Sequence, residues 1–143
     1  MKILECSSKG DKRFSAFYAK VSAFGKWDSI ENHYQLAKRF GDEVPKTWRD
    51  AKGKTATHIV LNGKELPIRL LSQWYALLWA KYLDANSELV KYAEQFDDFN
   101  DMFRGKSVNC QADMVRQYVI EGRQSILDDC EELRVILKEM KNK

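Results

Sequence analysis

The chain has 143 residues, of which 44% are hydrophobic, 31% charged and 12% aromatic, with four Trp. That length suits one domain with a real core, the aromatic content excludes a disordered tail, and seven Gly with two Pro exclude a collagen-like or linker-rich chain. The net charge of +3 is uneven, +5 over residues 1–60 and −2 over residues 61–143, so the first half could meet a phosphate-bearing partner, although a plain solvated surface is the readier explanation.

Residues 2–6 read as a short strand. The aromatic, partly alternating segment 14–24 reads as extended, and Gly25-Lys26 turns the chain into Trp27. Asp28 to Phe40 reads as one helix, with Asp28 as its cap, Glu31 three residues on completing a capping-box pattern, and Gly41 as its stop. Residues 42–56, with Pro45, Trp48 and Gly53, read mainly as loop. Asn62-Gly63 between two apolar runs predicts a hairpin over 57–68. Residues 69–83 read as a helix, with Leu71, Trp74, Leu78 and Tyr82 at helical spacing. Asn86-Ser87 opens another helix to about Phe96. Residues 97–109 read as a polar loop carrying buried-type aromatics. Residues 111–139 read as helical again, with a break near Gly122. There Ile126, Cys130, Leu133, Leu137 and Met140 form an amphipathic stripe that reads as a core face more readily than as a partner site. No repeat, low-complexity tract or linker divides the chain. The expected fold is mainly α (α+β): a single helical domain over residues 1–143 with a small β-hairpin element.

Several chemistries are disfavoured. No apolar run approaches the ~20 residues that span a bilayer, and the apolar start of the chain is too short for a signal peptide. Cys6, Cys110 and Cys130 form no CxxC pair, and their odd number fits a reduced, cytoplasmic compartment. His33 and His58 are too few for a His-rich zinc site, and neither a P-loop nor a GxGxxG run is present.

The most informative stretch is Trp27-Asp-Ser-Ile-Glu31-Asn-His-Tyr-Gln35-Leu-Ala-Lys38. On a helix, Glu31, Gln35 and Lys38 fall within roughly 60° of one another, beside an apolar stripe of Ile30, Tyr34 and Ala37. An acid, an amide and a base then share one edge, where a carboxylate feels both a cation and partial desolvation. The bland alternatives are that Glu31 only closes a capping box, or that the row is a solvated face. In the 97–109 loop, Asp97, Asp98 and Asp101 lie among apolar residues, followed by Gly105 and Asn109. Such loops line sites, and equally they cap helices.

Phe14-Ser15-Ala16-Phe17, the Trp27 to Lys38 stretch, Lys81-Tyr82, Asp101-Met-Phe-Arg104-Gly105 and Asn109 occur in a fixed order. On these residues the sequence resembles the NADAR (YbiA-like) N-glycosidase family over about residues 14–123. The Glu-to-Gln-to-Lys spacing is that family's. Ala16 stands where the family has Asn, Asn32 where it has His, and Arg104 where it has a loop Trp. The family's middle Trp has no clear counterpart here, and Trp48 and Trp74 are the two candidates. The resemblance implies a YbiA-like helical domain that cleaves the N-glycosidic bond between a ribose, as ribose phosphate or ADP-ribose, and a base or amine. Ribosylamino-pyrimidines and ADP-ribosylated nucleobases are the substrates it suggests.

It further implies Glu31 and Asp101 as catalytic acids, the first stabilising an oxocarbenium-like ribose. Ser15, Gln35 and Asn109 would hydrogen-bond substrate, Lys38 would meet phosphate or tune Glu31, and Phe17 and Trp27 would wall the pocket. No metal or redox cofactor is implied. The expected partner is a nucleotide-like small molecule or an ADP-ribosylated nucleic acid, with no membrane. The alternatives are a non-catalytic nucleotide or ADP-ribose-binding module, nucleic-acid association through the basic first half, and a helical interaction protein using the 126–140 stripe.

Overall fold

A computed structural model describes residues 1–103 and 109–141 of the chain. In order the elements are β1 (Ile3–Glu5), β2 (Lys20–Ala23), β3 (Lys26–Ser29), α1 (Ile30–Leu36), β4 (Lys38–Arg39), α2 (Trp48–Ala51), β5 (His58–Leu61), β6 (Lys64–Pro67), α3 (Leu71–Asp84), α4 (Ser87–Ala93), β7 (Asp98–Asn100), α5 (Gln111–Arg116), α6 (Arg123–Asp129) and α7 (Glu131–Lys141). Short 3-10 turns at Lys12–Phe14 and Ile68–Leu70 and a π turn at Gln117–Glu121 complete the set. The fold is mixed α+β and mainly α, as expected, with three small sheets among the described residues. No described helix is long and apolar enough to cross a membrane.

The first departure from the sequence reading lies in residues 14–29. Extended structure begins only at Lys20, after a 3-10 turn and the bend at 15–18. Phe24 and Gly25, with φ of 52° and 78°, then form a two-residue turn that pairs β2 with β3, Ala23 opposite Lys26 and Lys20 opposite Ser29. Two successive positive-φ residues match the right-handed twist of the strands they join. Asp28 is therefore in a strand, and the helix cap is Ser29, whose Oγ accepts from the Asn32 amide at 3.0 Å. Asp28 lies one residue outside and braces the cap by accepting from the Ser29 amide and Asn32 Nδ2. Neighbouring residues with equal capping ability cannot be ranked by propensity, and the ladder register decides between them.

The second departure is the end of that helix. It stops at Leu36, and Lys38 and Arg39 pair as β4 with Ile59 and His58 of β5. An open hairpin edge overrides helix propensity here, so Lys38 is not a helical residue. The hairpin itself forms as predicted, with Asn62 and Gly63 at φ of 49° and 81° and Leu61 opposite Lys64. Within the expected 42–56 loop, Thr47 and Asp50 set up the short helix α2, Asp50 Oδ2 accepting from the Thr47 amide at 3.2 Å.

α3 is the centre of the core. Trp74, Tyr75, Leu78, Trp79, Tyr82 and Leu83 are all buried along it. α4 ends at Ala93, short of Phe96. The predicted 97–109 loop instead contains β7, which pairs in parallel with β1 across the chain, Phe99 buried opposite Leu4. Three residues are too few to carry a periodicity, and their partner is supplied from the other end of the sequence. The predicted break falls at Gly122, at φ 101°, and a second follows at Cys130. Ile126, Cys130 and Leu133 of the stripe are buried, as a core face should be.

Replacing the cap tests how α1 is held. Ser29→Ala should lower the unfolding free energy by about 1 kcal/mol in urea denaturation. An unchanged midpoint would place the helix-starting interaction elsewhere.

Candidate active site

The first two amides of α1 have no partners inside the helix, and the 15–19 bend supplies them. Ile30 N donates to the Ala19 carbonyl at 2.8 Å and Glu31 N to the Ala16 carbonyl at 3.0 Å. Ser15 shapes that bend. It is fully buried, its carbonyl accepts from Tyr18 N and Ala19 N, and its Oγ accepts from Phe17 N at 3.4 Å.

Glu31 does not close a capping box. It is 6% exposed, and its Oε1 accepts from Gln35 Nε2 at 2.9 Å and from Lys52 Nζ at 3.4 Å. A carboxylate withdrawn this far from water needs such partners to replace its lost hydration. Lys52 follows α2 and passes over the Phe17 ring, 5.3 Å from its centroid. Phe17 in turn meets Trp48 edge-on at 5.1 Å. The residues around α2 thus bring a cation and an aromatic to Glu31 together.

Lys38 reaches the same place from β4. Its Nζ donates to the Ala51 carbonyl at 3.4 Å and lies 5.2 Å from the Tyr34 ring centroid. Burial pushes this ammonium below the usual lysine range, Glu31 opposes that shift, and Lys52 adds to it. Tyr34 Oη accepts from Asn109 Nδ2 at 2.8 Å. Burial raises this phenol, the Asn109 bond opposes the rise, and the Glu31 charge adds to it. Gln35 Oε1 is buried without a hydrogen-bond partner among the described residues.

Asp101 is also buried. Its Oδ1 accepts from Phe103 N at 2.9 Å and its Oδ2 from Gln111 Nε2 at 3.1 Å. Gln111 Oε1 accepts from Ala16 N at 2.7 Å, and the Ala16 carbonyl is the acceptor for Glu31 N. The two carboxylates therefore belong to one bonded assembly.

Of the residues singled out in the sequence, Glu31 and Gln35 are hydrogen-bonded, and Lys38 lies near enough for the Glu31 charge to act on it. Asn109 joins them through Tyr34, Asp101 joins through Gln111 and Ala16, and Phe17 joins through Lys52. Trp27 does not: it is 66% exposed on β3, and no hydrogen bond, ion pair or ring contact ties it to Glu31 among the described residues. Lys81 is exposed on α3, and Tyr82 Oη donates to the Arg13 carbonyl. Arg104 and Gly105 lie outside the described residues. Of the two candidate tryptophans, Trp48 stands beside the site. Trp74 is buried on α3, its Nε1 donating to the His33 carbonyl at 3.3 Å.

Sequence reasoning missed Lys52 and Gln111. Nothing local marks either one, because both act across the chain. Two grooves of about 560 Å³ and 240 Å³ lie elsewhere, and neither takes a wall from Glu31, Gln35, Lys38 or Lys52. Among the described residues no three His, Cys, Asp or Glu side chains gather to hold a metal ion.

A family model described as DarT1-associated NADAR antitoxin matches residues 1–143, the whole chain. The chain belongs to the NADAR family. No curated relative matches it. As a NADAR protein it departs from the pattern at two described positions, and neither disturbs the Glu31 assembly. Ala16 contributes through its backbone amide and carbonyl and not through its side chain. Asn32 bonds Asp28 and lines the smaller groove.

The lowered Lys38 makes a pH prediction. Between its depressed folded value and the ordinary lysine value near ~10.4, the unfolded chain holds a proton that the folded chain has released. Stability should therefore rise with pH across that window. In urea unfolding at a series of pH values, the wild type should gain stability relative to Lys38→Met there and run parallel to it below. Using the difference cancels the buried tyrosines, which titrate in the opposite sense. Parallel curves throughout would show that the ammonium is fully solvated.

Proposed function

We propose that this chain is an N-glycosidase that hydrolyses the bond between ADP-ribose and a nucleobase. The family's description as an antitoxin supports this, because an enzyme that releases ADP-ribose from a base erases a modification without having to block the toxin that makes it. The observation that carries the reading is the buried Glu31 carboxylate, held by Gln35 and a lysine beside an aromatic pair.

In this reading the ribose C1 sits over Glu31, whose charge stabilises the oxocarbenium-like cation formed as the C1–N bond breaks. Water adds its hydroxyl to C1 and gives its proton to Glu31, the departing base nitrogen takes one proton from solvent, and Glu31 returns its own to solvent, so that the carboxylate is regenerated. Lys52, half-exposed, leaves Glu31 for the substrate's phosphates, and Lys38 adds a second positive charge nearby. Phe17 and Trp48 offer faces for the base. Gln35 orients Glu31, and its unpartnered Oε1 suits a site in which a ligand supplies the missing donor. Asp101 orients the ribose or water, and Asn109 hydrogen-bonds the sugar or base. Trp27 has no part.

The test is base release from ADP-ribosylated guanine, as nucleoside and in DNA, with NAD and a ribosylamino-pyrimidine phosphate alongside, read by mass spectrometry of free base and free sugar. Glu31→Gln keeps the shape and removes the charge, and should cut release by 10²- to 10⁴-fold, on the order of one acid–base group's contribution. Undiminished turnover would remove Glu31 from the mechanism. No release from any substrate, with thermal stabilisation by one of them, would make the chain a binding module.

A further inference from the structure

The larger groove runs between α3 and the C-terminal helices. Its floor is Trp74, Leu77 and Leu78 of α3 facing Leu127, Leu137 and Met140. Its rim carries Lys81, Arg123, Arg134, Lys138 and Lys141, and the one acidic lining residue, Asp84, is occupied by Arg123 and the Tyr118 hydroxyl. This segregation runs against the local composition. Residues 61–143 are net negative, yet the groove collects five cations and a single acid. On α7, Arg134, Lys138 and Lys141 recur at i, i+4 and i+7 beside the Leu137 and Met140 stripe, while Glu131, Glu132 and Glu139 do not line the groove. Cations near a helix C-terminus favour the dipole, but the dipole does not choose a side. Lys81, Lys138 and Lys141 have no ion-pair partner among the described residues, so their charge faces outward unmatched.

We propose that this groove is a docking site for an amphipathic helix of a partner protein whose apolar stripe is flanked by Asp and Glu. An apolar floor matches helix-in-groove recognition, and a cationic rim adds steering and register for an acidic face. A second copy is a poor occupant, because the chain's own exposed amphipathic helix, α7, would bring cations to cations. A nucleic-acid strand asks for stacking faces, and this floor is mainly aliphatic. A bilayer is flat, whereas the apolar surface here is concave. The groove lies apart from Glu31, so occupancy and chemistry are separable.

The experiment is an NMR titration of the isotope-labelled full chain with a synthetic leucine/glutamate amphipathic helix and with its leucine/lysine twin. The acidic peptide should give saturable shifts confined to α3, α6, α7 and the turns at Phe24 and Asn62 that also line the groove, and the basic twin should not. Reversing Arg134, Lys138 and Lys141 to Glu should weaken the acidic peptide by about tenfold or more, equivalent to roughly 1.4 kcal/mol, and admit the basic one. The same spectra report whether the variant is folded, and Lys81→Glu, on the opposite wall, provides an independent weakening. Base release should be unchanged in both variants. Equal binding of the two peptides, or binding of neither, overturns the proposal. So does a preference of the same resonances for phosphatidylserine vesicles or a single-stranded oligonucleotide, or concentration-dependent dimerisation that protects the groove.

Discussion

The site depends on how one amide, Gln111, joins three parts of the chain. Its Oε1 takes the Ala16 amide proton and its Nε2 gives one to Asp101. Ala16 then passes the constraint on, since its carbonyl accepts from the first-turn amide of Glu31. An amide side chain is suited to this because it presents a donor and an acceptor at fixed geometry. The bend at 15–19, the start of α1 and the end of β7 are thereby set relative to one another without a charge being spent on the task. Both carboxylates inherit their positions from that link. Asp101 is then tied again by its own turn to Phe103.

Around this frame the electrostatics are lopsided in a useful direction. One buried carboxylate, Glu31, is flanked by two ammonium groups, Lys38 and Lys52, all drawn from the basic first half of the chain. The two lysines are not equivalent. Lys38 is buried, bonded to a backbone carbonyl, and shifted down by desolvation. Lys52 is half-exposed, and its ion pair with Glu31 is long, at 3.4 Å. An exposed partner gains little from the pair and gives it up readily. The carboxylate thus has a fixed inner cation and an exchangeable outer one.

The sequence made the local parts of this arrangement legible and the long-range parts illegible, for one physical reason. Glu31 and Gln35 are one helical turn apart, so their hydrogen bond follows from spacing. The Asn62-Gly63 hairpin and the break at Gly122 follow from backbone stereochemistry. Helix spacing puts Lys38 near Glu31, but Lys38 arrives on β4 and not on the helix face, a difference only the edge of β5 decides. β7 has no local signal because its partner, β1, is at the far end of the chain. Lys52 and Gln111 carried no signal at all. The cap moved from Asp28 to Ser29 because a strand register chose between two residues of similar propensity. Trp27 carries weight by its motif position, yet it pairs with Ser22 on the face of the hairpin opposite the buried Val21 and Ala23.

Helix α1 is only seven residues long, and both of its faces are in use. Glu31, Tyr34 and Gln35 serve the carboxylate cluster, while Asn32, His33 and Leu36 line the smaller groove, with His33 Nε2 on the Val21 carbonyl. That division explains how the chain can carry Asn32 where the resemblance leads one to expect His. The altered residue lies on the face turned from Glu31, where its bond to Asp28 supports the cap. Ala16 is explained differently, because there the contribution is made by the main chain and survives any side chain small enough to be buried. A site assembled from backbone groups and one face of a short helix can therefore differ from a motif at its margin while its central carboxylate stays hydrogen-bonded to Gln35 and Lys52.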